Sequence, residues 1–377
     1  MNDLKVLIFA GGFFPGKTFG GPPVSVDNFC SLMKEFDCYI VTSDHDNKSK
    51  ARYSNIEVGW NNRGNAKVLY LSDREYFSVN RLNAIVKEIE PDVLYLQSLF
   101  QDLTLLGLIV AKKNGIKVLL APRGELCSGA FKKKYKKLPY LLFLRKSGLL
   151  NRVEYQSTSD EETEEICTYL RTSIDKVHFL TNIPSIPKNT FTRPEKIPGK
   201  ANGVFLSRIH PKKNLDFALN CLMNIRGEVF FDIYGPIEDI SYWEKCQEII
   251  RQLPTNIVVS YRGIVGHEVV HEIFSQYDFF FFPTLSENYG HVIAEALIVG
   301  CPVIISNNTP WNDVDCFEAG WAISLSDSAT YSSSIQKMVD LSHNDWIRLS
   351  TNAKLMANNK SNLNVLHEKY LAVFNQL

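Results

Sequence analysis

The chain has 377 residues, and its 41 Lys plus Arg balance 41 Asp plus Glu, so the formal net charge is zero. This length predicts two domains, and a zero balance argues against bulk electrostatic binding of nucleic acid. With 45% hydrophobic and 22% charged residues, the composition is that of a globular protein rather than a disordered one.

The eight cysteines and the lengths of the apolar runs indicate the redox compartment of the protein and exclude a membrane-spanning segment. No C-x-x-C pair and no Cys/His cluster is present, which favours reduced thiols in a cytoplasmic protein and predicts no metal site. The longest later apolar stretch, 279–283, is far shorter than the ~20 residues of a membrane helix. The apolar start is too short for a signal peptide.

In the first 183 residues, short apolar runs alternate with segments of helical period. Continuous apolar strands separated by helices are typical of a parallel sheet covered on both faces. The predicted strands are 5–10, 38–42, 68–71, 93–97, 117–121, 153–157 and 177–180. The predicted helices between them are 24–35, 82–90, 103–114 and 160–170.

Residues 184–200 interrupt this pattern with four prolines, which predicts a linker. The alternation then resumes, with predicted strands at 204–206, 229–234, 257–261, 279–282 and 303–305. The predicted helices of this part are 215–223, 242–250, 269–274 and 292–299. We therefore predict an α/β protein with two Rossmann-like, doubly wound domains, 1–183 and 201–360, facing across a ligand-binding cleft. Residues 361–377 are predicted to form a C-terminal helix, and the pattern leaves open whether it packs back on the first domain.

A glycine-rich loop follows the first predicted strand. Residues 11–18 match the nucleotide-binding pattern GxxxxGK[ST], but the GGPP sequence at 20–23 prevents a helix from starting at Lys17, as that motif requires. This disfavours an ATPase. The glycines instead predict an open loop that a ligand can approach closely, with a proline in the first turn of the next helix. Gly20 and Gly21 are therefore candidate binding residues.

A basic loop follows the first strand of the second domain. Residues 205–215 read FLSRIHPKKNL, which predicts a strand, a loop and the start of a helix. Arg208 lies at the strand end and Lys213 at the helix start, where a cation opposes the helix dipole. A diphosphate would compensate both charges, with Arg208 binding as a fork and Lys213 as a point charge. A solvated basic loop is the alternative.

The most informative segment is 278–303, DFFFFPTLSENYGHVIAEALIVGCPV. Glu295 falls inside an apolar helix, where an unpaired carboxylate costs several kcal/mol, so it needs hydroxyl or amide donors. Glu287 lies in the loop after a strand, and Gly290 opens a helix whose N–H groups can bind phosphate. Two carboxylates around a phosphate site suit the hydroxyls of a nucleotide sugar. The alternative is a capping acid and a buried salt bridge.

Taken together, these segments resemble family 4 of the retaining glycosyltransferases, which have the two-Rossmann GT-B fold. The similar motifs are GGPP at 20–23, PDVLYLQS at 91–98, TSDEE at 158–162, SRIHPKKN at 207–214, RGIVGHEVV at 262–270 and the E-x7-E element at 287–295. The resemblance implies that Glu287 holds donor-sugar hydroxyls. It also implies that Glu295 holds the ribose, and that Arg208 and Lys213 hold the diphosphate.

The same resemblance implies the remaining binding positions. Gly263 and Ile264 would border the base, and backbone amides would line the sugar and phosphate. The candidate substrate-binding residues are Gly20, Gly21, Gly263, Ile264, Asn288, Tyr289, Gly290, His291 and Glu295. The candidate catalytic residues are Glu287, Arg208, Lys213 and Arg123.

Arg123 marks a departure from the family. Many relatives carry a His after the fifth strand of the first domain, whereas this chain has APRGE at 121–125, so the role of that His is not transferred. A similar Pro-Arg-Gly occurs in a subgroup of bacterial polysaccharide transferases. Arg123 is predicted to contact donor phosphate or acceptor, and a salt bridge with a residue such as Glu125 is the alternative.

The predicted function is therefore transfer of a sugar, with retention, from a nucleoside-diphosphate donor to a saccharide acceptor in surface polysaccharide or O-antigen-type synthesis. UDP is favoured over GDP, and neither a metal nor another cofactor is expected. Two alternatives stay open: a nucleotide-sugar epimerase on the same fold, and an inactive nucleotide-sugar-binding protein. An NAD dehydrogenase is disfavoured because no G-x-G-x-x-G follows a strand.

A basic and aromatic segment, 131–146, reads FKKKYKKLPYLLFLRK and gathers seven cations in a chain of zero net charge. Such a segment is predicted to contact an anionic membrane and to receive a lipid-linked acceptor. A solvated helix with its apolar side in the core is the alternative. The predicted location is the cytoplasm, at the inner face of the cytoplasmic membrane.

Overall fold

The fold is seen in a computed structural model, which describes residues 4–16, 19, 21–46, 49, 51–127, 134–187 and 189–377. Its contacts divide the chain into two units. Unit 1 comprises residues 1–183 and 363–377, and unit 2 comprises residues 184–362. The α/β class with two largely parallel sheets is confirmed.

Unit 1 contains an eight-stranded sheet in the order β3-β4-β2-β1-β5-β6-β7-β8. Its strands are β1 (Leu4–Phe9), β2 (Phe36–Ser43), β3 (Trp60–Arg63), β4 (Ala66–Leu71), β5 (Val93–Gln97), β6 (Lys117–Ala121), β7 (Val153–Ser157) and β8 (Val177–Phe179). Its helices are α1 (Gly21–Leu32), α2 (Asp73–Tyr76), α3 (Val79–Ile89), α4 (Asp102–Asn114), α5 (Lys134–Ser147), α6 (Asp160–Leu170) and, from the end of the chain, α13 (Leu363–Gln376). Helix α1 begins just before the two prolines, as the glycine-loop pattern predicts.

Both faces of this sheet are covered by apolar residues. In β1, Leu7 and Phe9 join one core layer, whereas Val6 and Ile8 join the other. This alternation follows from the period of two in a strand. Strand β3 was not predicted; it pairs antiparallel with β4, and its sequence WNNR carries too few apolar residues to stand out.

The last helix, α13, completes unit 1. Tyr370 and Phe374 are 2% and 0% exposed and belong to a core layer of this unit. The Tyr370 hydroxyl donates to the carbonyl of Thr181 at 3.0 Å and accepts from the amide of Gln156 at 2.9 Å. The chain therefore passes from unit 1 to unit 2 and back.

Unit 2 contains a six-stranded parallel sheet in the order β11-β10-β9-β12-β13-β14. Its strands are β9 (Lys200–Leu206), β10 (Glu228–Tyr234), β11 (Ile257–Gly263), β12 (Phe279–Phe282), β13 (Val303–Ser306) and β14 (Gly320–Ile323). Its helices are α7 (Leu215–Cys221), α8 (Ile240–Gln252), α9 (Val270–Ser275), α10 (His291–Ile298), α11 (Ser328–Asp340) and α12 (His343–Lys360).

The segment 184–200 differs from the predicted linker, because it is part of unit 2. The Ser185 hydroxyl donates to Glu295 at 3.1 Å, and the Arg193 guanidinium donates to backbone carbonyls of unit 2, one of them that of Val299 at 3.0 Å. Lys196 is 2% exposed and also donates to backbone carbonyls. Its prolines prevent regular structure, but its polar side chains fix it to the unit.

The glycine loop and the basic segment 131–146 both include residues outside the described part of the chain. Lys17, Thr18 and Gly20 lie outside the described residues, and so do 128–133, which include Lys132 and Lys133. Of the helices that are described, none combines the length and the apolar character that crossing a bilayer requires.

Candidate active site

The strand order of unit 2 defines where a ligand is expected. The chain builds β9, β10 and β11 outward in one direction and then returns to place β12 on the other side of β9. Loops at such a switch point diverge beyond the carboxyl ends of the strands and leave a crevice that binds ligands. The loop after β9 carries Arg208 and Lys213, and the loop after β12 carries Glu287. The topology therefore brings the two predicted motifs together.

Lys213 and Glu287 form a buried ion pair. The Lys213 ammonium donates to Oε1 of Glu287 at 2.5 Å, and the two side chains are only 10% and 14% exposed. Burial lowers the pKa of Lys213, and the Glu287 carboxylate opposes this shift. The negative partner that the sequence required for Lys213 is thus a protein carboxylate. Lys213 ends a short 3₁₀ turn, Pro211–Lys213, rather than opening α7.

Glu287 still has one oxygen available to a ligand. Its Oε1 accepts from Lys213 and from the Thr284 hydroxyl, the latter at 2.9 Å, and its backbone N–H donates to the carbonyl of Asn308 at 3.2 Å. No hydrogen bond to Oε2 is found among the described residues. The carboxylate is therefore held in place by one oxygen while the other can accept a hydroxyl.

The protein partner of Arg208 is Glu238. Its Nη1 donates to both oxygens of Glu238, at 3.0 and 3.1 Å, and its side chain is 42% exposed. Its positive charge opposes the charged form of Lys213 and so helps lower the pKa of that lysine. Within the described residues, Nε and Nη2 make no hydrogen bond. Because one edge of the guanidinium is anchored, the other can fork onto an anion.

Gly290 forms the N-cap of α10 and has φ 78°, a left-handed conformation that favours glycine. A Cβ at this position would lie 3.0 Å from Ile293 Cδ1 and 3.5 Å from Trp311 Cδ1. The preceding residue, Tyr289, is fixed by its carbonyl, which accepts from Trp311 Nε1 at 2.6 Å. Burial raises the pKa of Tyr289. The backbone that leads into α10 is therefore held at a defined angle.

Glu295 lies within α10 and is 4% exposed. Its Oε1 accepts from His267 Nε2 at 2.6 Å and from the Ser185 hydroxyl at 3.1 Å. Burial alone would raise the pKa of this carboxyl, but the hydrogen bond from His267 and the potential of His267, His291 and His271 outweigh burial and lower the pKa to about 2. Glu295 is therefore ionised. Of the hydroxyl or amide donors that the sequence predicts, the structure supplies the Ser185 hydroxyl, and the other donor is an imidazole.

The other predicted binding residues in unit 2 lie at the end of β11 and around the start of α10. Gly263 ends β11 with φ 83° and leaves open space around its Cα, and Ile264 is 49% exposed. The His291 ring begins α10 and packs edge-on against the Tyr289 ring, with the centroids 4.8 Å apart. Asn288 is half-buried in the loop between Glu287 and Tyr289. Gly263 and Ile264 are thus accessible, whereas the Tyr289 ring packs against His291 and Trp311.

In unit 1, Arg123 occupies the loop after β6 with φ 58°. Its Nε donates to Oε1 of Gln97 at 2.9 Å, Nη2 donates to the Tyr95 hydroxyl at 3.3 Å, and Nη1 donates to Asn182. All three partners are neutral. The salt bridge with Glu125 that was the alternative is not formed within the described residues, so the charge of Arg123 is oriented but not neutralised.

Two carboxylates fix the loops around Arg123. Glu125 accepts from the Ser98 hydroxyl and the Leu99 N–H, both at 2.6 Å. Glu162, which is 0% exposed, accepts from the Gly124 N–H at 2.5 Å and from the Thr158 hydroxyl at 2.7 Å. The TSDEE motif therefore serves to position the Pro-Arg-Gly turn. Gly21, which is predicted together with Gly20 to bind substrate, is the first residue of α1.

Sequence reasoning missed several residues of these sites. Glu238 is 30 residues from Arg208, His267 is 28 residues from Glu295 and Ser185 is 110 residues from Glu295, so no local pattern indicates these contacts. A further group, Cys127, Glu161 and Glu165, brings three possible metal-ligand atoms within 4.8 Å of one another in the described part of the chain. No metal was predicted, because the sequence has no C-x-x-C pair and no Cys/His cluster.

The fold and the site define an α/β protein with a ligand crevice at the switch point of its second sheet. Comparison with known proteins gives the class. Residues 188–356, in unit 2, match the family described as Glycosyl transferases group 1. Residues 28–149, in unit 1, match the family described as Glycosyl transferase 4-like.

Three individual proteins illustrate the likeness. The chain is 29% identical over 101 residues to the GtfA subunit of the UDP-N-acetylglucosamine–peptide N-acetylglucosaminyltransferase of Streptococcus agalactiae, a match that spans 26% of this chain and only 19% of that protein. Anabaena Alr3699/HepE, solved with UDP and glucose, superposes with a TM-score of 0.75 at 15% identity over 99% of this chain and 100% of its own. Sucrose-phosphate synthase from Thermosynechococcus elongatus superposes with a TM-score of 0.71 at 14% identity, over 99% of this chain and 98% of its own.

Each unit thus matches a family model of glycosyltransferases, and the architecture is that of the GT-B fold. Two Rossmann-like domains are thereby confirmed.

Proposed function

We propose that this protein is a retaining glycosyltransferase that uses a nucleoside-diphosphate sugar. The observation that carries the proposal is Glu287, whose Oε1 is fixed by Lys213 and Thr284 while Oε2 has no hydrogen bond within the described residues. A carboxylate oriented in this way beside cations can accept hydroxyls of a donor sugar whose phosphates lie on those cations. A purely structural ion pair would not require the second oxygen to stay open.

The residues of unit 2 suggest a role for each part of the donor. Arg208, Lys213 and the N-terminus of α10 at Gly290 would stabilise the negative charge that develops on the leaving diphosphate. Glu295, ionised and held by His267, would accept the ribose hydroxyls. The exposed side chain of Ile264 would cover the base.

The base and the stereochemistry are the finer parts of the proposal. UDP is favoured, and the complex of Anabaena Alr3699/HepE with UDP and glucose supports this choice. Retention would follow from attack on the face that the diphosphate leaves, assisted by that phosphate, with no protein nucleophile. No metal is assigned a role, because cations of the chain would stabilise the charge.

The acceptor is proposed to be a lipid-linked saccharide of surface polysaccharide or O-antigen-type synthesis, bound at unit 1. Arg123, whose charge is not neutralised, would contact the acceptor or a donor phosphate. Helix α5 supports a membrane origin: Leu142 and Phe143 are 47% and 52% exposed, although Leu141 and Leu144 are fully buried. We propose that 131–146 contacts the anionic inner face of the cytoplasmic membrane.

Turnover measurements test the transferase assignment. Glu287→Gln and Arg208→Ala are each expected to reduce kcat/KM with the true donor by more than tenfold, because each removes a contact that grows in the transition state. Glu248→Gln and Arg251→Ala, at exposed positions of unit 2, are the matched controls and should stay close to the native value. If both site variants remain within tenfold, the assignment is wrong.

Ligand binding and product analysis test the identity of the base and the stereochemistry of the transfer. A thermal-shift panel of UDP, GDP, ADP and their sugars should show the largest rise with UDP compounds, since a ligand that binds only the folded state raises its melting temperature. NMR of the product should show the anomeric configuration of the donor. An inverted product would refute retention, and donor turnover without acceptor would point to an epimerase.

Vesicle co-sedimentation tests the membrane contact. Binding should be stronger to anionic than to neutral vesicles at low salt and should weaken when Lys132, Lys133 and Lys134 are replaced by Ser. Equal binding to both kinds of vesicle, or no change in the variant, would favour a soluble acceptor.

A further inference from the structure

A second concave surface lies in unit 1, away from Arg123. It is a cavity of about 670 Å³ near the ends of α5 and α6 and the 3₁₀ turn Ile174–Lys176. Asn151 precedes β7 and Lys176 precedes β8, so the cavity opens at the amino ends of these strands. Arg123 follows the carboxyl end of β6. At about 3.3 Å per residue, the length of a five-residue strand separates the two places.

Four cations line this cavity: Arg145, Lys146, Arg171 and Lys176. Among the described residues, none of them forms a salt bridge. Arg145 donates through Nε to the carbonyl of Leu141 at 3.3 Å, which leaves the rest of its guanidinium for other partners. No carboxylate belongs to the lining. In a chain with zero net charge, this is a local excess of positive charge.

The negative charges near the cavity do not balance these four cations. Helices α5 and α6 both end at the cavity, and two helix C-termini together carry about one negative charge. Asp175, beside Lys176 and hydrogen-bonded to Ser173, adds at most one more. The four cations exceed this sum by about two charges, so the site is expected to attract an anion.

The apolar part of the lining indicates what kind of anion fits. Leu142, Leu150 and Leu170 contribute to the walls, and Leu142 continues into an exposed surface with Phe143. We propose that this cavity binds the phosphate group of an amphipathic phosphate ester, with the cations around the phosphate and the apolar wall against the remainder. The two sources of this chemistry are a lipid headgroup and a soluble phosphate. The site is independent of the proposed donor site.

The test compares two double variants with the same change in charge. Arg171→Gln/Lys176→Gln removes two cations of the cavity, and Lys87→Gln/Lys113→Gln removes two exposed cations elsewhere in unit 1. Binding of the full chain is measured to phosphatidylcholine vesicles with and without phosphatidic acid, and to inorganic phosphate by calorimetry. Circular dichroism verifies that both variants are folded, and Lys146→Gln, at an exposed position, serves as a second variant.

The expected result is a loss of about thirtyfold in affinity for phosphatidic acid vesicles in the cavity variant, which corresponds to two cations at an anionic surface. The control variant should lose less than about threefold. If inorganic phosphate binding is lost instead, with vesicle binding unchanged, the cavity takes a soluble phosphate. Equal losses in both variants, or no loss with either probe, would overturn the proposal. Arg171 and Lys176 lie outside 131–146, so a loss of vesicle binding in their variant is distinguishable from a failure of the membrane contact proposed for that segment, and donor turnover is not part of this readout.

Discussion

Replacement of Lys213 by Met should measure how much the ion pair between Lys213 and Glu287 contributes to the stability of unit 2. The substitution keeps an apolar stem of similar length but leaves a carboxylate that is 14% exposed without its cation. Breaking one partner of a buried pair costs about 3–5 kcal/mol. Because Thr284 still donates to Glu287, we expect the lower end, about 3 kcal/mol. For a unit of this size, that corresponds to about 6–12 °C in melting temperature.

Urea denaturation followed by tryptophan fluorescence measures this cost. Four of the five tryptophans lie in unit 2 and report selectively on it: Trp243, Trp311, Trp321 and Trp346. The double variant Lys213→Met/Glu287→Gln should recover at least half of the loss, because no buried charge remains.

Lys245→Met provides the matched control. It breaks a 2.6 Å pair with Asp216 in which the lysine is 62% exposed, so it should cost less than about 1 kcal/mol. The reasoning is refuted if Lys213→Met costs no more than this control, or if the double variant is as unstable as the single one.

Three further predictions concern the other polar groups. The pKa of Glu295 is about 2 in the folded state and 4.5 ordinarily. The ionised carboxylate therefore contributes fully to the stability of the fold above about pH 5, and this contribution is lost as the pH falls toward 2. Between pH 6 and pH 3, the free energy of unfolding measured by urea denaturation should therefore fall by about 2 kcal/mol more in the native protein than in Glu295→Gln. Equal decreases in the two proteins would contradict this prediction. Trp311→Phe leaves the Tyr289 carbonyl without its 2.6 Å donor and should cost about 1–3 kcal/mol, with a higher KM for donor and little change in kcat. Arg123→Lys should lower kcat strongly at native stability, since lysine cannot fork, whereas a loss of stability with normal kcat would make Arg123 structural.

The elements that sequence predicted best are those whose apolar pattern is uninterrupted. Strands β5, β6, β7 and β12 have the bounds that the pattern predicts, because each is a short run of buried residues between turn signals. Strand β3 and the short helix α2 were missed, since both are mostly polar and are stabilised by their neighbours. Local pattern thus identifies elements rich in apolar residues, including the edge strands β8 and β11, and misses short polar elements.

For the candidate site, sequence proposed residues but did not indicate their partners. Glu295 was recognised as a buried charge that needs donors, yet nothing local indicates that His267 and Ser185 supply them. Lys213 was likewise recognised as a cation in need of compensation, and the compensating group proved to be Glu287. Such pairings depend on the order of strands in the sheet, and this order cannot be predicted from the residue pattern of a single sequence.

Because α13 completes unit 1, the order in which this chain is synthesised matters for its folding. Phe374 packs on Phe29, Phe36 and Tyr95, with ring centroids 5.2–5.5 Å apart. During translation, which proceeds at about 5–20 residues per second, the first 183 residues emerge without this aromatic partner. Unit 2, which is contiguous from 184 to 362, has all of its core before the last helix is made. The unit translated first is therefore the one that finishes folding last.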